Sequence, residues 1–245
     1  MMSSTTDDIS KILLFGGNGL CGKEFLRYAV SKKLRLRVVL RPTADTTDIT
    51  AELTSKFVEV VKNDFKNLNA LLSPTLFENV TTVVVCLGTT RSKAGSAKAQ
   101  YDFEVKTITK IAQVAKANNV QQFILISATG ANPKSYFFFN KMKGVIENNV
   151  LKQNIPQTII LRPSFLLGVR KNDFRFFEYI ISNFAHLFLP QKGIYNHSYE
   201  LALIMVNYIC NKRPESSIIL SSADIYNHKK KLDKSKSTVV TAEKR

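Results

Sequence analysis

Residues 11–27 read KILLFGGNGLCGKEFLR: a short apolar run, a glycine-rich turn, then a segment of helical character. Ile12 to Phe15 suit a strand buried on both faces near the centre of a parallel sheet. Gly16 permits a sharp turn out of that strand. Gly19 lets backbone approach a bound group, and Gly22 lets the following helix lie close on the strand. A helix starting at such a loop offers free N–H groups and the positive end of its dipole, an arrangement that holds phosphate. Strand, glycine turn and helix in this order predict a bound nucleotide pyrophosphate.

Two nucleotide motifs compete for this loop. Gly17 to Lys23, GNGLCGK, also fits most of a Walker A sequence, but that loop next requires Ser or Thr for magnesium and this chain has Glu24. The Walker B partner is missing as well, since the best strand for it, Val83 to Leu87, ends in Gly88 and not Asp. The dinucleotide reading is therefore preferred. Cofactor choice is set at the end of the second strand, where an acid bonds the ribose 2′-hydroxyl of NAD and an arginine accommodates the 2′-phosphate of NADP. Arg41 stands there, with no acid before Asp45. This favours NADP over NAD.

The rest of the chain alternates in the same way. Strands are predicted at Leu36 to Leu40, Lys56 to Val61, Thr82 to Leu87, Phe123 to Ile126 and Thr158 to Leu161. Helices are predicted from Leu20 (Phe25, Tyr28 and Ala29 on one face), through Val105, Ile108, Ala112 and Ala115, and through Met142, Ile146 and Val150. The alternation predicts an α/β protein, a Rossmann-like doubly wound parallel sheet in a single domain. Its expected limits are 11–228, with a flexible N-terminus at 1–10 and a basic disordered tail at 229–245.

At 245 residues and 44% hydrophobic content the chain can bury one sizeable core. No apolar run approaches the roughly 18 residues that cross a bilayer, and MMSSTTDDISK has no secretory h-region. Three scattered cysteines and three scattered histidines give no metal spacing. Thirty-five basic residues oppose 19 acidic ones. Seven basic and two acidic residues fall in 229–245, which leaves +11 on the rest. Such a surface suits solubility, an anionic membrane or a polyanion. A nucleic-acid-binding protein is an alternative, but no recognition motif accompanies the charge.

Several blocks resemble the atypical short-chain dehydrogenase/reductase family: FGGNGLCG, LGTTRSKAG at 87–95, LISATGANP at 125–133, KMKGVIE at 141–147 and ILRPSFLLGVR at 160–170. Within it the chain is most similar to the fungal mitochondrial outer-membrane branch of the group that contains the human Tat-interacting oxidoreductase. The resemblance implies that Gly16, Gly19, Leu20 and Gly22 form the pyrophosphate loop and that Arg41 contacts the adenosine phosphate. It likewise implies that Asp64 meets the adenine, that Leu87, Gly88 and Thr89 flank the nicotinamide ribose, and that Ser127 and Pro163 to Leu166 line the nicotinamide end. Lys143 matches the lysine that bonds that ribose and lowers the pKa of a catalytic tyrosine.

Two of the family's three catalytic groups are absent at their aligned places. The phenol one helical turn before the lysine is replaced by Phe139, which has no proton to transfer to a developing alkoxide, and the serine after Ser127 is replaced by Ala128. Tyr136 and Thr129 are the local substitutes. The chain therefore reads as an NADP(H)-binding protein with weakened or lost hydride transfer, or else as a reductase using Tyr136, Thr129 or water as proton donor. At 174–189, FRFFEYIISNFAHLFL repeats aromatics at helical spacing. This helix either covers a substrate pocket or docks on an anionic membrane, which by resemblance is the cytosolic face of the mitochondrial outer membrane.

Overall fold

The structure is a computed structural model that describes residues 10–65, 68, 73–167, 195–211 and 217–242. The aromatic segment 174–189 and residues 1–9 lie outside the described residues.

The strands are β1 (Lys11–Phe15), β2 (Leu36–Leu40), β3 (Val58–Lys62), β4 (Val80–Val85), β5 (Gln122–Ile126), β6 (Gln157–Leu161), β7 (Phe165–Leu167), β8 (Tyr195–His197) and β9 (Ile218–Leu220). The principal helices are α1 (Leu20–Ser31), α2 (Ala97–Ala117), α3 (Phe138–Leu151), α4 (Ser198–Cys210) and α5 (Ser222–Ala242). Seven strands form one parallel sheet in the order β3-β2-β1-β4-β5-β6-β9, and β7 and β8 form a separate parallel pair.

The period of two along β1 builds both layers of the core. Leu13 and Phe15 point to the side where Ile108, Ile111, Met142 and Ile146 bring in α2 and α3. Ile12 and Leu14 point the other way, onto Phe25 and Leu26 of α1 and Leu201 and Met205 of α4. Helices on both faces explain why β2, β5 and β6 are buried throughout. The edge strand β3 is mostly exposed, and its Glu59 pairs with Lys11 at 2.8 Å and Arg37 at 2.9 Å.

The sequence predicts a disordered tail over 229–245; in the structure α5 runs across position 229 to Ala242. Its start is fixed in the core by Ile225, by a 3.3 Å contact between the Tyr208 hydroxyl and His228 Nε2, and by a 2.9 Å ion pair from Lys229 to Glu200. Once nucleated, a helix extends at little cost through lysine-rich sequence.

The order of strands reverses between β1 and β4. A parallel sheet opens a crevice at the carboxyl ends of its strands at such a point, and the loop after β1 is the glycine-rich turn.

Candidate functional site

Gly16 leaves β1 with φ +83°, and a Cβ there would lie 2.6 Å from the Cys86 carbonyl oxygen. The turn closes by a 3.0 Å bond from the Gly19 N–H to the Gly16 carbonyl, and Gly19 is the N-cap of α1. Gly22 sits so close beneath the turn that a Cβ would come within 2.0 Å of the Gly16 oxygen. Backbone therefore packs directly on backbone, and the first turn of α1, which carries no acidic side chain, faces the crevice. Free N–H groups and the helix dipole make that end suitable for a pyrophosphate.

The crevice is a cleft of about 670 Å³. Of the sequence-predicted residues it gathers Gly16, Gly19, Leu20, Arg41, Leu87, Gly88 and Thr89 on one wall or another, while Gly22 acts from beneath the turn. Further lining comes from residues the sequence reading did not single out, notably Lys23, Lys93, Phe65 and Phe103. Asp45 and Asp48 also line it, so acids do share the wall with Arg41. Both are already engaged. Asp48 accepts a 3.0 Å bond from Lys23, and Asp45 accepts from the hydroxyl and N–H of Thr47, which holds its carboxyl below the ordinary range. Among the described residues the Arg41 guanidinium and the Lys93 ammonium have no ion-pair partner. Burial pushes the Cys86 thiol well up, so at neutral pH it lines the cleft as an uncharged group.

The remaining predicted residues are not cleft-lining. Asp64 is exposed beside Phe65, which lines the cleft in its stead. Ser127 is buried and donates to Glu147 at 2.5 Å, and Glu147 also accepts from Arg162 Nε at 3.0 Å. Pro163 is buried, and its carbonyl accepts from the Thr129 N–H at 2.9 Å; Leu166 packs on the core. Thr129 is exposed, and its hydroxyl donates to the Arg162 carbonyl at 3.0 Å. Tyr136 is fully exposed on the loop before α3 and does not line the cleft.

Lys143 is buried on α3, and its ammonium lies 2.7 Å from Glu104 on α2. Phe139, one turn earlier, sets its ring 5.6 Å from the same ammonium. Its aromatic face stabilises the cation. Glu104 is only 1% exposed, and it also accepts from the Thr89 N–H at 3.1 Å and from Gln100 Nε2 at 3.2 Å. Gln100 Nε2 in turn donates to the Thr89 carbonyl at 2.8 Å. Both backbone polar groups of Thr89 are thus tied to α2, and Glu104 links the cleft loop to Lys143. The sequence held a signal for this: Gln100 and Glu104 continue the apolar stripe of Ile108, Ile111 and Ala115. An acid on a buried stripe needs a cationic partner.

Residues 16–167 match the profile of a family described as NAD(P)H-binding. The chain belongs to this NAD(P)H-binding family. Protein FMP52, mitochondrial, from Kluyveromyces lactis is 35% identical over 166 residues, covering 67% of this chain and 71% of that protein. Protein FMP52-2, mitochondrial, from Scheffersomyces stipitis is 30% identical over 235 residues, 89% of this chain and 97% of that one. Among solved structures, UDP-glucose 4-epimerase from Bifidobacterium longum in complex with NAD+ and UDP superposes with a TM-score of 0.66 over 86% of this chain and 77% of that chain, at 15% identity. That likeness concerns the fold alone. Within the NAD(P)H-binding family, the glycine turn packed on Cys86 and the cleft at the strand-order reversal are what fit a dinucleotide here.

Proposed function

We propose that this NAD(P)-binding protein takes NADP(H) in preference to NAD(H) and is impaired in hydride transfer. Gly16, Gly19, Leu20 and the first turn of α1 hold the pyrophosphate. Arg41 neutralises the adenosine 2′-phosphate, and Asp64 is reached from the adenine edge. Leu87, Gly88 and Thr89 flank the nicotinamide ribose; Ser127 and Pro163 to Leu166 back the far end. Bound NADPH supplies a hydride. The protein's part would be to deliver a proton, and Phe139 has none to deliver. The single observation behind this reading is the Phe139 ring set against the Lys143 ammonium at 5.6 Å. Lys143 then serves as a positioning residue, fixing Glu104 and through it the Thr89 loop.

Titration with NADPH and NADH, followed by NADPH oxidation across a panel of carbonyl compounds, tests this. Saturable NADPH binding with negligible turnover is expected. Turnover that disappears in Tyr136→Phe would instead make the chain a working reductase with a displaced proton donor.

The relatives named mitochondrial support a mitochondrial location. The place proposed is the cytosolic face of the outer membrane, held peripherally, since no described helix is long and apolar enough to cross a membrane and the chain carries a formal charge of +16. Protease treatment of intact mitochondria should degrade the protein. Protection until the outer membrane is ruptured would contradict it.

A further inference from the structure

Four consecutive aromatics stand out of the surface where α3 begins. Tyr136 is 104% exposed, Phe137 76%, Phe138 41% and Phe139 45%. A row of large apolar side chains in water is unfavourable unless something covers it. The loop carrying them is itself well built: Asn132 Oδ1 accepts from the Lys134 N–H at 2.9 Å, Ser135 Oγ accepts from the Phe137 N–H at 3.1 Å, and the Asn132 N–H donates to the Asn140 carbonyl at 3.0 Å. At its base the Phe138 ring meets Tyr101 of α2 with centroids 6.4 Å apart. The aromatics are therefore held outward by local bonding.

The unpaired charge beside them is positive: Lys134 and Lys141 flank the row and are exposed, while the nearby acids are engaged, Glu104 with Lys143 at 2.7 Å and Asp102 with Lys98 at 2.6 Å and Lys106 at 3.3 Å. A protruding aromatic tip within a cationic collar matches the two layers of an anionic bilayer surface, apolar acyl boundary beneath phosphate. We propose that Tyr136 to Phe138 insert into the interfacial layer of an anionic membrane while Lys134 and Lys141 engage its headgroups. This rests on the peripheral attachment proposed above and names the surface that carries it.

The chain has no tryptophan, so Phe137→Trp makes a sole fluorescent reporter at the tip. With the full chain and phosphatidylcholine vesicles containing phosphatidylserine, its emission should shift to the blue and be quenched by brominated acyl chains. In co-sedimentation, Phe137→Ser with Phe138→Ser should lower partitioning about tenfold or more. Lys134→Gln with Lys141→Gln should lower it about twentyfold to thirtyfold on anionic vesicles, at about fivefold per lysine, and leave binding to neutral vesicles unchanged. NADPH titration of each variant should match the wild type and each should melt cooperatively, with Tm lowered by about 2–4 °C only where Phe138 loses its contact with Tyr101, which separates surface loss from misfolding. If the Phe137→Trp protein sediments with vesicles while its tryptophan emission stays unshifted, attachment stands and this surface is wrong. If the wild type does not sediment at low salt, attachment itself fails. A lipid-independent shift that grows with protein concentration would assign the row to a second copy of the chain and overturn the proposal.

Discussion

Replacing Glu104 by Gln removes the charge opposite Lys143 and nearly preserves shape. In the folded protein the Lys143 side chain is 9% exposed and the Glu104 side chain 1%, and the two are 2.7 Å apart. An ammonium left buried without its partner costs about 3–5 kcal/mol. A ceiling follows from proton loss: an ordinary lysine near pKa 10.4 can be made neutral at pH 7 for about 4.6 kcal/mol. Glu104→Gln should therefore destabilise by about 3–4.5 kcal/mol, lowering Tm by roughly 6–18 °C for a domain of this size. Lys143→Met leaves the carboxylate with the Thr89 and Gln100 donors, so it should cost less, about 1–3 kcal/mol. The double variant removes both charges and should return to within about 1 kcal/mol of the wild type, because a buried ion pair adds little over neutral groups of similar volume. Urea unfolding with unchanged m-values is the assay. Additive single effects, or a Glu104→Gln cost below about 1 kcal/mol, would refute the buried pair.

Arg41→Ala should weaken NADPH binding about tenfold to hundredfold and leave NADH binding nearly unchanged, by calorimetric titration; equal losses for both would deny Arg41 a 2′-phosphate. Gly22→Ala forces a methyl to within 2.0 Å of the Gly16 oxygen, so NADPH binding should be lost and Tm should fall. Phe139→Tyr combined with Ala128→Ser should raise NADPH-dependent carbonyl reduction by about 10²–10⁴-fold, and no gain would place the deficit elsewhere. The raised pKa of Cys86 keeps it protonated, so iodoacetamide at pH 8 should modify the exposed Cys210 well before Cys86 in mass-spectrometric mapping.

The central sheet was legible because its strands are short runs of buried apolar residues between helices. Leu36 to Leu40 was located without error, and β5 and β6 each begin one residue before their predicted start. The cleft walls from Gly16 to Leu20, at Arg41 and at 87–89 were legible for a related reason: each follows a strand end on the same side of the sheet. What stayed hidden depends on distant pairing. Glu104 meets Lys143 across 39 residues, and only the folded helices bring them together. Strands β7, β8 and β9 have three residues each, too few for a period, and α5 is seeded by contacts from α4 that its own sequence does not announce. The identity of Phe139 was plain in the sequence, but its stacking on the lysine was not.

Calorimetric titration of the wild-type chain with NADPH tests the central claim most directly. One saturable site per chain, tighter for NADPH than for NADH and accompanied by no measurable oxidation of the bound nucleotide in the presence of carbonyl compounds, is the predicted result. Absence of saturable binding, or rapid turnover by a chain that has phenylalanine at 139, would contradict it.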